Sequence, residues 1–295
     1  MPALAYTAPS SVEEAVRALA GASGLAKVLS GGTDLLVQLR SGRAKPALIV
    51  DTKKIPGISG IREENGAFVI GAATSGAVIG ENKALQQAWP GVVEAANLIG
   101  STQVQGRASL AGNLCNASPA ADSVPALIAA RATCVIVGSS GKREAPVESI
   151  CTGPGRTSLA RDEFIIEFRL PKRAPRSADA YLRFIPRTEM DIAVVGAAVN
   201  LTRDASGVIT DARVVLGAVA PTAVIVPDAA AALTGHKLDD AALAALDKAA
   251  RAACKPISDK RGTIEYRTKV AGVLARRTAA IAFDRALGKT NGKAH

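Results

Sequence analysis

Two stretches of this chain combine residue types and spacings suited to holding a phosphorylated ligand. The longer is Ala108-Ser109-Leu110-Ala111-Gly112-Asn113-Leu114-Cys115-Asn116-Ala117-Ser118-Pro119-Ala120-Ala121-Asp122, in which no side chain is bulkier than leucine or asparagine. Small side chains let backbone N–H groups come close to a flat or charged ligand. No apolar face of useful length recurs in it, so it reads as a surface for a ligand and a poor core element. The shorter stretch, Ser30-Gly31-Gly32-Thr33-Asp34, lies about eighty residues upstream. It follows a strand pattern, Lys27-Val28-Leu29, and precedes a helical one carried by Leu35, Leu36 and Leu39. A strand, a Gly-Gly turn and a helix bring free N–H groups and a positive dipole end to one spot, which suits phosphate. The loop lacks the third glycine of the G-x-G-x-x-G fingerprint, and alone it is weak evidence, since most such loops merely turn the chain. Two such loops together can clamp a diphosphate from both sides.

Metal and nucleophile chemistry is poorly provided for. Cys115, Cys134, Cys151 and Cys254 never fall in a C-x-x-C pair, which argues against an iron–sulfur or structural zinc site on this chain. The two histidines, His236 in a Gly-containing turn and the terminal His295, are too few for a histidine metal centre or triad. Gly138-Ser139-Ser140-Gly141-Lys142 has the wrong spacing for a phosphate loop and is followed by alternating Arg143, Ala145 and Val147, so it reads as a hairpin turn. No catalytic residue and no metal ligand is assigned.

The formal charge is +10, concentrated at the C-terminus, where eleven Lys or Arg stand against three acids from Arg251 onward. Aromatics make up 3% of the chain and none interleaves with that run, so no nucleic acid is expected as partner. A solvated helix face and a surface docking to an acidic subunit both fit it. No apolar run approaches the roughly 18 residues of a membrane span. The N-terminus, Met1-Pro2-Ala3-Leu4-Ala5-Tyr6-Thr7, shows neither a basic nor an apolar signal region, and cytoplasm is the expected location.

The elements that must position the two loops follow from pattern. Ser10-Ser11-Val12-Glu13-Glu14 offers overlapping capping boxes before a helix on Ala15, Val16 and Leu19, ended by Gly21 and Gly24. Ala47–Asp51 and Phe68–Ala72 read as strands, and Leu85–Ile99 as a helix broken near Pro90. Pro119 opens a helix running to Ala130 with Ser118 as its cap. Thr133–Val137 and Glu163–Pro171 are strands. Lys172-Arg173-Ala174-Pro175-Arg176, charged and aperiodic, is the best linker. Beyond it come strands at Tyr181–Ile185, Ile192–Leu201 and Val208–Val219, the last two joined by the hairpin loop Arg203–Gly207. Helices are expected at about 228–234, 239–253 and 263–287. Three strands followed by three helices make an α+β lobe.

With these residues in place, the chain resembles the FAD-binding medium subunit of the molybdenum hydroxylases, the xanthine dehydrogenase and carbon monoxide dehydrogenase family. The likeness is carried by Val28-Leu29-Ser30-Gly31-Gly32-Thr33-Asp34-Leu35, by Gln103–Asn113, by Asn116–Pro125 and by Arg187-Thr188-Glu189-Met190-Asp191-Ile192-Ala193. The Asn116–Pro125 segment is closer to the xanthine dehydrogenase pattern. The resemblance implies an α+β fold, with a two-lobed FAD-binding domain over 1–172 (a small α/β lobe to about 55, a larger α+β lobe to 172). A C-terminal domain of antiparallel sheet plus helices would follow over 177–290.

It also implies roles. Val28, Leu29, Ser30, Gly31, Gly32, Thr33, Asp34 and Leu35 would wrap the FAD diphosphate, with Ser109, Leu110, Ala111, Gly112 and Asn113 gripping it from the other loop. Ile99 and Cys115 would sit at the isoalloxazine ring, Asp122 would bond the ribityl or ring region, and Ile165 and Arg183 would touch the flavin from the lobe border. From residue type alone, Cys115 is equally a small buried hydrophobe, Asp122 a helix cap, Arg183 a surface charge, and Ile99 and Ile165 core residues. Two positions depart from the family pattern: Ala111-Gly112 stands where Gly-Gly is usual, and Arg183 stands where eukaryotic relatives carry lysine. Alanine at 111 would be strained if that position needed positive φ.

The implied function is an FAD-containing electron-transfer subunit. It would accept electrons from a [2Fe-2S] small subunit beside a molybdenum-cofactor large subunit, as a dimer of heterotrimers, and pass them to NAD or another acceptor. A nucleotide-binding regulatory module without redox role and a stand-alone flavin oxidase are the alternatives.

Overall fold

The computed structural model describes residues 4–289; Met1, His295 and the last residue of the expected 177–290 domain lie outside the described residues. The first unit runs β1 (Ala5–Thr7), α1 (Val12–Ala20), β2 (Ala26–Leu29), α2 (Leu35–Arg40) and β3 (Leu48–Asp51). Its sheet has the order β1-β3-β2 with both pairings parallel. Of the two overlapping boxes only the Ser11/Glu14 one forms, and its return bond goes one residue further back, to Ser10. Ser11 Oγ accepts from the Glu14 N–H at 3.1 Å, and Glu14 in return accepts from the Ser10 N–H at 2.8 Å. Parallel pairing leaves the β2–α2 connection at the C-terminal end of a strand, the position from which α/β sheets bind ligands.

The second unit comprises β4 (Ile61–Glu64), β5 (Ala67–Gly71), α3 (Gly76–Glu81), α4 (Lys83–Ala88), α5 (Pro90–Asn97), α6 (Thr102–Gln105), α7 (Leu110–Cys115), α8 (Ser123–Ala129), β6 (Thr133–Gly138), β7 (Gly141–Pro146), β8 (Cys151–Gly153), β9 (Arg156–Thr157) and β10 (Phe164–Leu170). Its antiparallel sheet has the order β4-β5-β10-β6-β7. Two expectations need correction here. The small-residue stretch contains a helix, α7, whose Leu110 and Leu114 are buried in the core beside Ile79 and Leu127. A helix this short shows too few repeats for its apolar face to stand out in sequence. The following helix begins at Ser123, not Pro119, and Ser118 instead closes a turn in which its hydroxyl accepts from the Ala120 N–H at 3.3 Å.

The third unit is a four-stranded antiparallel meander, β11 (Ser177–Phe184), β12 (Val195–Arg203), β13 (Ile209–Gly217) and β14 (Val224–Ile225), followed by α9 (Pro227–Leu233), α10 (Asp240–Ala252) and α11 (Ile264–Ala286). The long helix α11 lies on β11 and β12 and closes a second core through Ala271, Ala275, Ala279 and Ala282. Alanines along one face let helix and sheet approach closely.

Lys172–Arg176 is not a free linker. Arg173 stacks 3.6 Å over the Trp89 ring and donates to Ala88 O and to Asn200, which fastens the second unit to the third.

Candidate functional site

The β2–α2 loop and the start of α7 face each other across a cleft of about 530 Å³. They touch: Ser30 Oγ and Ser109 Oγ lie 2.8 Å apart, and Gln38 donates to Asn116 Oδ1 at 2.8 Å. Contact is possible because Gly31 has no side chain. An added Cβ there would lie 1.9 Å from the Arg107 carbonyl oxygen. Gly32 takes φ +80°, a left-handed turn that glycine adopts without steric cost.

Two further attachments fix the longer loop. Gly76 N–H donates to Ala108 O at 2.8 Å, and Asn113 Oδ1 accepts from both the N–H and the hydroxyl of Ser123, which ties α7 to α8. Lys53 Nζ steadies the shorter loop through the Ser30 carbonyl.

The shorter loop keeps unused backbone donors. Among the described residues, the N–H groups of Gly31, Gly32, Thr33 and Asp34 donate to no other group of the chain, and all four residues line the cleft. Clustered free N–H groups with hydroxyls beside them form an anion cradle, a donor set matching the diphosphate of a dinucleotide. Charge nearby is balanced. Lys27 and Arg161 line the cleft together with Asp34 and Glu163. Glu163 is already paired to Arg143 at 2.7 Å, which holds its carboxyl below the usual range.

Most of the residues singled out in the sequence meet here. Val28, Ser30, Gly31, Gly32, Thr33, Asp34, Leu35, Ile99, Ser109, Ala111, Gly112, Asn113, Cys115 and Ile165 all line the cleft. Ala111 is strain-free, because it sits inside α7 and is absent from the positive-φ residues. Leu29 and Leu110 are outside the lining; Leu110 belongs to the core.

Asp122 and Arg183 are also outside the lining, paired to each other. Arg183 Nη1 donates to Asp122 Oδ2 at 2.8 Å and Tyr181 donates to Oδ1 at 3.1 Å, all three side chains being buried. Burial pushes the Asp122 carboxyl up to about 6, against the pull of Arg183. Asp122 therefore makes no side-chain helix cap, and Arg183 is no surface charge. Arg183 Nε is buried with no partner among the described residues.

Sequence reasoning missed one whole wall. Leu25, Ala26 and Lys27 on one side and Leu159, Ala160, Arg161 and Phe164 on the other complete the cleft. The loop 158–163 carries no glycine and no motif, so nothing in its composition marked it.

Comparison with known proteins identifies the family. Residues 2–173 match the model described as the FAD binding domain in molybdopterin dehydrogenase, and residues 180–282 match the CO dehydrogenase flavoprotein C-terminal domain. The chain belongs to the FAD-binding subunits of the molybdenum hydroxylase family. This flavoprotein is 34% identical to the carbon monoxide dehydrogenase medium chain of Hydrogenophaga pseudoflava over 96% of its own length and 98% of the relative's. It is 29% identical to the putative xanthine dehydrogenase FAD-binding subunit XdhB of Escherichia coli over 96% and 97% of the two chains. Whole-chain identity is thus higher to the carbon monoxide protein, whatever the local likeness of the Asn116–Pro125 segment. Among solved structures, carbon monoxide dehydrogenase from Hydrogenophaga pseudoflava superposes with a TM-score of 0.92 at 35% identity, covering 97% of this chain and 99% of that one. The flavoprotein is a subunit type of oxidoreductases and binds FAD.

Cys115 is open to the cleft, yet the protein around it withdraws its sulfur from water, and with Cys151 nearby pushes the thiol up to about 12. At pH 8 such a thiol is almost wholly protonated and reacts on the order of a thousandfold more slowly than a free cysteine. Iodoacetamide at pH 8 should therefore leave Cys115 unmodified in the native chain and modify it in urea. Mass spectrometry of the peptide checks this, and rapid native labelling would contradict it.

Proposed function

We propose that the chain is the electron-transfer component of a molybdenum hydroxylase complex, taking electrons from a [2Fe-2S] small subunit and passing them to NAD or another acceptor. The carrying observation is the pair of loops hydrogen-bonded to each other through Ser30 and Ser109, with four N–H groups of the shorter loop, all in residues lining the cleft, left without a partner among the described residues. Gly31 to Asp34 would hold the diphosphate from one side, and Ser109 to Asn113 from the other. Ile99, Cys115 and Ile165 would line the flavin end. Asp122 and Arg183, paired to each other outside the cleft lining, are left out of this set.

Bound FAD supplies both one- and two-electron chemistry, and the protein supplies binding and electrostatics. The chain's own residues hold the nucleotide, keep Cys115 protonated beside it and leave hydroxylation to a molybdenum-bearing partner. The relatives named medium chain belong to multi-subunit enzymes, which favours this reading. We place the division of the chain near 172–177 and the partners as a dimer of heterotrimers.

The test is direct. The purified chain should be yellow and should release FAD, not FMN, on denaturation. In the reconstituted complex, adding the enzyme's reducing substrate should bleach it only when the iron–sulfur subunit is present. Bleaching by substrate without that partner would favour a stand-alone oxidase. Bleaching that never occurs would leave a nucleotide-binding module.

A further inference from the structure

The cleft is held at two separated places. At one, the loops meet through Ser30 and Ser109. At the other, the connection between β9 and β10 reaches across to the turn between α1 and β2. There Arg161 lines the cleft and places its guanidinium on two backbone carbonyls of the first unit, Ala22 and, at 2.7 Å, Gly24. Arg161 is itself exposed and has no acidic partner, so its only polar attachments among the described residues are these two carbonyls. The turn it grips is tightly built, since a Cβ on Gly24 would lie 3.0 Å from Ala47. Leu25, Ala26 and Lys27, immediately after that turn, line the cleft, as do Leu159 and Ala160, immediately before Arg161.

We propose that Arg161 is a latch over the mouth of the cofactor cleft, which must let go of the Ala22 and Gly24 carbonyls for FAD to enter or leave. The inference rests on the reading of this cleft as the FAD site. A guanidinium is suited to the task because the two N–H groups of Nη2 engage both carbonyls at once, and because the side chain is exposed, water can take its place when it swings away. A lysine ammonium ends one bond short of the position of Nη2, so Arg161→Lys should hold less well.

The latch differs from an ordinary cofactor contact in what it does to rates. A side chain that only touches bound FAD slows its release and leaves entry alone. A latch that is closed in the free protein slows both. The experiment uses the full chain and its Arg161→Ala and Arg161→Lys variants, stripped of flavin and reloaded. Entry is followed by quenching of FAD fluorescence and release by its recovery on dilution. Release and entry should each quicken roughly tenfold in Arg161→Ala, and less in Arg161→Lys, with the dissociation constant changing far less than either rate. Unchanged rates would overturn the latch. Faster release with unchanged entry would overturn it also, making Arg161 a contact only. Failure of the unsubstituted chain to take up FAD at all would instead sink the reading on which the latch rests. Thermal melting of the flavin-free variants at the parent's temperature separates either result from unfolding.

Discussion

Replacing Gly31 by alanine should yield a protein that purifies without flavin. The added Cβ would be driven to 1.9 Å from the Arg107 carbonyl oxygen, a backbone atom that cannot swing aside as a side chain would. One loop must retreat by well over an ångström. The retreat breaks the 2.8 Å contact between Ser30 and Ser109 and misaims the N–H groups of Gly31 to Asp34. Overpacking of this kind typically costs about 1–3 kcal/mol of stability. The larger effect falls on binding, because a cradle of donors works only when they converge. A loss of about 3 kcal/mol there lowers FAD affinity on the order of a hundredfold. The companion variant is Gly106→Ala, one residue before Arg107, where an added Cβ meets nothing closer than 3.6 Å. It should retain full flavin. The ratio of flavin to protein absorbance decides the matter, and a Gly31→Ala chain as yellow as the parent would show that the loops need not touch.

Gly31 also shows what the sequence could and could not display. The β2–α2 loop was readable because each of its signals is local: an apolar strand, a Gly-Gly turn and a helical leucine pattern in immediate succession. That the turn must be glycine for contact with Arg107, 76 positions later in the numbering, is a tertiary fact with no local trace. The long helices of the third unit were legible for the same reason, having enough turns for periodicity to accumulate. The six-residue helix α7 was not, since Leu110 and Leu114 are its only large apolar residues. The wall formed by Leu159, Ala160 and Arg161 was invisible because ordinary residues become a wall only when β9 and β10 carry them there. Asp122 and Arg183 are intermediate cases. Their residue types suggested function, but their partnership spans 61 positions and appears only once α8 packs against β11.

The segment Lys172–Arg176 supplies the other strong expectation. Its charges and its proline read as a solvated spacer, but Arg173 is mostly buried and makes four attachments. It stacks on Trp89 at 3.6 Å, donates to Ala88 O and Asn200, and pairs with Asp179, whose side chain is 3% exposed. Burial works against both charges, pushing the Asp179 carboxyl up and lowering Arg173. The pair is therefore held by mutual compensation. Removing one member leaves the other uncompensated, at about 3–5 kcal/mol. Arg173→Met keeps much of the stem against Trp89 but strands the Asp179 carboxylate, and should lose stability in that range, a large share of the 5–15 kcal/mol usual for a folded protein. Adding Asp179→Asn removes the stranded charge at nearly the same side-chain volume. The double variant should recover most of the loss, leaving a deficit of about 1–2 kcal/mol from the missing hydrogen bonds and the cation–π contact. Urea unfolding midpoints for parent, single and double variants measure the difference. Equal losses in the single and double variants would mean that the stacking on Trp89, and not the buried charge pair, fastens the second unit to the third.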